Sequence, residues 1–236
     1  MTQESTEDLT TEIIKKSKEI MKLLKRDNIE ISEIDNYHLY PIADNDTPKL
    51  SADRLEYSLS NALFIYRLLD LASIKEIYDD IEIQTNEEKE IELGFKTKKN
   101  ARNFVKVTSR LSVIYREDRT RYSMQLIADI LKRLSDENKM SRKDLYELKE
   151  SEVINIIESS KYNDIFNIWK NAKKVKISKE EPQNVYYVHH GAKIRYIDPL
   201  FNGERISKCC KIANKMIENN LSYDMNNYVY LDFNFW

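Results

Sequence analysis

The sequence predicts a mainly α-helical protein with a small β-hairpin in its body and a small α+β unit at its C-terminal end. Three observations predict it. Apolar side chains recur at i, i+3, i+4 and i+7 over much of the first 175 residues, the period of one helix face. The 236 residues include three Gly and four Pro, too few turn formers for an all-β chain. Beyond residue 182, aromatic and β-branched residues crowd into "NVYYVHHGAKIRYIDPLF" and "YVYLDFNF", which read as strands. The expected division is therefore a helical domain over 1–175 and an α+β unit over 182–236, joined through "SKEEPQN".

Residues 6–27 predict one helix, capped by Thr6, with Ile13, Ile14, Ser17, Ile20, Met21 and Leu24 along one face. Residues 31–37 give a short turn or helix, and "YPIADNDTPK" is a loop. Ser51 or Thr47 then caps a helix running to about Leu69, with Leu50, Tyr57, Leu63 and Phe64 near one face. A short helix over 73–80 leads to a hairpin, because Ile81 and Ile83, then Ile91 and Leu93, alternate around a polar turn. Helices over 97–116 and 119–135 are separated at "RED". Ser141 and Asp144 form a partial capping box that starts another, and further helix covers 151–158 and 162–173. "KNAKKVK" reads as a solvated helix end, "RISKCCKIANKMIENNLSY" as a helix and "YVYLDFNF" as a terminal strand.

A net charge of −2 creates no field that would gather nucleic acid or an anionic membrane, and no basic stripe is interleaved with stacking aromatics. No apolar window approaches a membrane span, and the acidic N-terminus is unlike a signal peptide. Cys209 and Cys210 are adjacent and have no further Cys with which to form a zinc site. A cytoplasmic location is the expectation.

Nucleotide-cradling glycine motifs, HExxH and GxSxG are all missing. Strand alternation sends His189 and His190 to opposite faces, one on the surface and one half-buried. Asp53 is the more telling residue. Its helix neighbours at i−3 and i+4 are Leu50 and Tyr57, and a carboxylate on such a face is costly unless it is paired or binds a cation. That places Asp53 toward a cavity. The competing reading is a first-turn Asp behind a Ser51 cap, favoured by the helix dipole. His38, Asp44 and Asp46 stand just upstream, so a metal site built from them with Asp53 is a candidate.

Four stretches carry a resemblance. "SADRLEYSL" follows a D-A-D-R-x-D/E-Y-like pattern, and "RLSVIYREDRTRYSMQLIADIL" an R-x-x-x-x-x-Y pattern across a helix pair. "AKIRYIDPLFNGERIS" has a K-x-R and a D-P in a strand and loop, and "TQESTEDLTTEII" matches a stretch after the first metal motifs. In order and spacing these resemble the HD-domain metal-dependent phosphohydrolases, in the branch similar to deoxynucleoside triphosphohydrolases. The resemblance implies that Asp53 is the last metal-binding Asp and that Tyr57 lines the same pocket. It implies a divalent metal cofactor in the family and a phosphate ester, such as a nucleotide, as substrate, with Lys49 and Arg54 near its phosphates. The family's His-Asp motif is not in this sequence, whose three His are His38, His189 and His190. Those motifs would precede residue 1, so the chain looks like an N-terminally truncated member. One carboxylate left from a four-ligand site is expected to hold metal poorly. Two readings follow: an HD-type phosphohydrolase body with little or no activity, or a non-catalytic nucleotide-binding or protein-interaction module. Self-association to a homo-oligomer is a further expectation, because lost helices would leave core faces bare.

Overall fold

The computed structural model describes residues 9–36 and 39–235. They are mainly helical, with two small sheets, as the sequence predicts. The chain forms two compact units: residues up to Val107 with Ile197–Asn214, and Thr108–Tyr196 with Lys215–Trp236. The compositional division at 175–182 runs along the chain, whereas these units interleave.

The first unit opens with α1 (Thr10–Lys16) and α2 (Lys18–Asp27), where the periodicity predicts a single helix. The break is at Ser17, whose backbone is extended and whose Oγ accepts from the Ile20 N–H (3.3 Å). Ser17 thus caps α2 rather than lying on an apolar face, a role its residue type favours. The expected cap, Thr6, lies outside the described residues. Together α1 and α2 bury only Leu24 and leave Ile13, Ile20 and Leu23 exposed. The segment 39–50 is a loop, as expected.

Ser51 caps α3 (Ala52–Ser60) by accepting from the Arg54 N–H (3.3 Å). The helix continues as a π-helical turn over Asn61–Ile65 and stops there, short of Leu69. Arg67, at φ 51°, reverses the chain, a conformation that cannot continue a right-handed helix. The face that α3 buries is Leu55, Ser58 and Leu59, followed by Ala62. Then come α4 (Leu71–Asp79), capped by Asp70, and the predicted hairpin, β1 (Ile81–Thr85) and β2 (Ile91–Phe95), paired from Ile81↔Phe95 to Thr85↔Ile91. The helix α5 (Lys98–Ile114) follows.

The hairpin belongs to a larger sheet of order β1-β2-β5-β6, in which β5 (Leu200–Phe201) runs parallel to β2 and turns at Gly203 into β6 (Glu204–Arg205). Within it Glu92 is fully buried. Its carboxylate accepts Arg205 Nη1 (2.7 Å) and Nη2 (2.9 Å), the Leu50 N–H (2.9 Å) and Asn86 Nδ2 (3.2 Å). A buried carboxylate is tolerable only with such saturation. The C-terminal helix is broken too: α10 (Ile206–Cys209) stops at Cys210, which is extended, before α11 (Lys211–Leu221).

The second unit is built on α6 (Asp118–Asp136). Tyr122, Leu126, Ile130 and Leu134 form a buried stripe at four-residue spacing, the geometry of one helix face. They pack with Ile157 of α8 (Glu150–Glu158), Phe166 of α9 (Asn163–Asn171), and Val188, Val229 and Leu231. Between α6 and α8, Ser141 and Asp144 exchange the expected capping bonds, but the helix they start, α7 (Asp144–Glu147), is one turn long. A three-stranded antiparallel sheet has β7 (Tyr228–Tyr230) between β3 (Lys176–Ser178) and β4 (Tyr187–Val188). The tract read as a solvated helix end therefore leads directly into a strand at Lys176.

At the end of α6, Glu137 accepts Tyr162 Oη (2.5 Å) and Lys161 Nζ (2.8 Å). Lys161, and after it the Tyr162 hydroxyl, hold the Glu137 carboxyl down at about 2. A carboxyl depressed in the folded state stabilises above its unfolded pKa of about 4.3, and that contribution disappears as pH falls toward the folded value. Glu137→Gln is therefore expected to lower Tm at pH 6, with the gap closing as pH falls through about 2. A Tm gap that stays constant across that window would show the carboxylate contributes no charge-dependent stability.

Candidate functional site

The residues first expected to form a site lie in the first unit, and the loop before α3 explains their arrangement. The N–H groups of Ala52 and Asp53 bond back to the carbonyls of Ile42 (2.8 Å) and Ala43 (3.0 Å). Asn45 Nδ2 donates to the carbonyls of Pro41 (2.9 Å) and Leu50 (3.1 Å). Arg54 reaches into the same loop, donating to the carbonyls of Lys49 (3.1 Å) and Asn45. The Asp-Arg pair of this helix thus has a local purpose for its Arg: the guanidinium ties down loop carbonyls.

Asp53 itself is exposed in the first turn of α3, and the expectation that it faces a cavity is not met. The reason is angular. Asp53 precedes Leu55 by two residues, about 200° around a helix, so it lies almost opposite the buried stripe. Tyr57, one turn on, is half-buried. Asp44 is half-buried, with Oδ1 accepting the Asn45 N–H (2.7 Å) and Ser51 Oγ (3.4 Å), while Asp46 is exposed. Lys49 Nζ is held between Glu88 (2.5 Å) and Glu90 (2.7 Å), which push its pKa up, Glu88 first. His38 lies outside the described residues. Among the described residues no three His, Cys, Asp or Glu side chains group closely enough to hold a metal ion, so Asp44, Asp46 and Asp53 do not supply a metal centre by themselves.

The second unit holds an open pocket of about 460 Å³, lined by His189–Gly191 and Tyr223–Asn226. Pairing of β4 with β7 places these two loops side by side, since one follows β4 and the other precedes β7. Both imidazoles are exposed, which corrects the expected split into surface and half-buried positions; the strand ends at Val188, so alternation no longer governs them. His189 stacks on Tyr228 (3.9 Å between centroids, 17°) and its Nε2 meets Asn226 Oδ1 (2.9 Å). His190 Nδ1 meets the Gly191 carbonyl (2.8 Å). Asp224 accepts the Asn226 N–H (2.8 Å) and pairs with Lys179 (2.8 Å), which holds its carboxyl below the usual range.

The pocket is fixed from beneath by Arg121. Its side chain is 1% exposed, Nη1 donates to the His190 carbonyl, and Nη2 pairs with Asp118 (2.5 Å). Asp118 in turn accepts Asn227 Nδ2 (3.0 Å), so one ion pair anchors both loops. Among the described residues Arg121 Nε finds no hydrogen-bond partner. Tyr223 lies on the guanidinium of Arg116 (5.6 Å), a buried cation whose other bonds go to carbonyl and amide oxygens of Ser112 and Asn220. Burial pushes the Tyr223 hydroxyl pKa up. The pocket therefore offers imidazole, phenol, amide and carboxylate groups, on loops held by a neutralised Arg121–Asp118 pair and by the Arg116 guanidinium behind Tyr223. Among the described residues that line it there is no Ser, Thr or Cys. No protein-family model matches this chain, nor does any curated protein or solved structure. Among the described residues, no helix is long and apolar enough to cross a membrane.

Proposed function

We propose that this chain is a non-catalytic binding module for a small phosphate-bearing ligand such as a nucleotide, an HD-type body that holds its ligand without hydrolysing it. The observation that carries the reading is the pocket between the His189–Gly191 and Tyr223–Asn226 loops, with two exposed imidazoles on one wall. Its volume suits a small molecule. Its walls bring the His189 and His190 imidazoles, the Tyr223 ring and the Asn226 amide together on loops that the buried Arg121–Asp118 pair holds in place. The resemblance to phosphohydrolases supplies the ligand class. Against turnover stand the separated carboxylates of the first unit and the engagement of Lys49 and Arg54 within the fold.

The test is calorimetric titration of the full chain with ATP and GTP, alongside phosphate release with added Mn²⁺ or Mg²⁺. Saturable binding without release is expected. His190→Ala keeps the backbone carbonyl that Arg121 holds, and should weaken binding about tenfold, or about 1.4 kcal/mol. Asp53→Ala should leave binding unchanged. Metal-dependent release that Asp53→Ala abolishes would overturn the proposal in favour of a hydrolase, and binding indifferent to His190→Ala would remove the pocket from it.

A further inference from the structure

The strand β1 is an edge of its sheet. Two bonds fix which of its backbone groups are used. The Lys96 N–H bonds the Asp80 carbonyl (2.9 Å) at one end, and the Asn86 N–H bonds the Glu90 carbonyl (2.9 Å) at the other. Hydrogen-bonded pairs alternate along an antiparallel ladder, so Glu82/Gly94 and Gln84/Glu92 exchange the bonds between. The N–H and C=O groups of Ile81, Ile83 and Thr85 therefore point away from β2. Natural edges are usually blunted by charges, above all Lys, by Pro or by a bulge; "IEIQT" has no Lys, Pro or bulge, and its one charge, Glu82, accepts Gln84 Nε2 (2.8 Å). Instead it presents Ile83, 64% exposed, and on the same face of β2 stands Ile91, 51% exposed.

From this edge we infer that β1 pairs antiparallel with β1 of a second copy of this chain, about a two-fold axis at Ile83. All five residues of the strand pair with a copy in that register only. Ile83 faces its own copy as a hydrogen-bonded pair, Ile81 faces Thr85, and Glu82 faces the neutral Gln84. Centring one residue earlier sets Glu82 against Glu82, a like-charge clash, and shortens the overlap; centring one later also shortens it. The pairing forms about six backbone hydrogen bonds. It also brings the Ile83 and Ile91 side chains of both copies into one apolar ridge, which lessens their contact with water.

Sedimentation of the full chain over about 1–100 μM is the test. The wild-type chain is expected to shift from monomer to dimer across that range. Ile83→Lys alters an exposed side chain and sets two ammonium groups opposite one another, so it should remain monomeric with an unchanged circular dichroism spectrum. Ile83→Cys, treated with a short thiol-to-thiol crosslinker, should yield a peptide joined to its own copy through the introduced thiol, distinguishable by mass from any linked through Cys209 or Cys210. A wild-type chain that stays monomeric overturns the inference, including the case in which this edge serves a strand of another protein. A dimer that survives Ile83→Lys, or crosslinks that never join the two introduced thiols, overturns it equally.

Discussion

Arg205→Ala is expected to destabilise the first unit by about 3–5 kcal/mol, the usual cost of leaving one partner of a buried ion pair behind. The partner is Glu92, fully buried, which would keep only the Leu50 N–H and Asn86 Nδ2 around its charge. Glu87 and the Asp198 carbonyl would also lose a donor. Replacing both partners, Glu92→Met with Arg205→Met, should recover most of the loss, because two apolar side chains leave no buried charge. A deficit of about 1–2 kcal/mol should persist, since the Leu50 N–H then lacks its acceptor. Urea unfolding, with hydrogen exchange read at Ile81–Phe95, checks both. A single mutant as stable as the wild type would mean that water reaches Glu92.

Leu126→Ala should cost the second unit about 2–5 kcal/mol through lost burial and a residual cavity. Leu126 is completely buried in the middle of the α6 stripe, between Tyr122 and Ile130. Trp169 reports on the same helix, its Nε1 donating to Ser123 Oγ (2.9 Å). Its fluorescence, in a Trp236→Phe background, should therefore follow the transition. A loss below about 1 kcal/mol would indicate that the neighbouring side chains collapse into the space.

What the sequence makes legible is whatever rests on a long period or a local signal. The α6 stripe runs unambiguously over just over three turns, and the hairpin alternates on both sides of a polar turn. Breaks by single residues are not legible. Ser17 fits the spacing of an apolar face yet serves as a cap, and Cys210 has no breaking propensity of its own. Strands of two or three residues are too short to show alternation, so β3 escapes a reading by pattern, and His189 and His190 are assigned to faces they do not occupy. The pocket is hidden for a related reason: its two loops are far apart in sequence, and only the β4–β7 pairing joins them. At Asp53 the neighbours Leu50 and Tyr57 suggest an apolar face, but the stripe that decides burial runs through Leu55, Ser58 and Leu59.

The bond between Glu92 and Arg205 spans 113 residues, and the whole first stretch of the second unit lies between them. On a ribosome adding about 5–20 residues per second, Glu92 therefore emerges on the order of 10 s before its counter-ion. During that interval β2 has β1 as its partner but not β5, which comes after Ile197. The first unit cannot complete itself in the order in which it is made. A nascent chain halted before Leu200 should accordingly be cut by protease within the first 107 residues, and resist once Arg205 and α10 have cleared the exit tunnel.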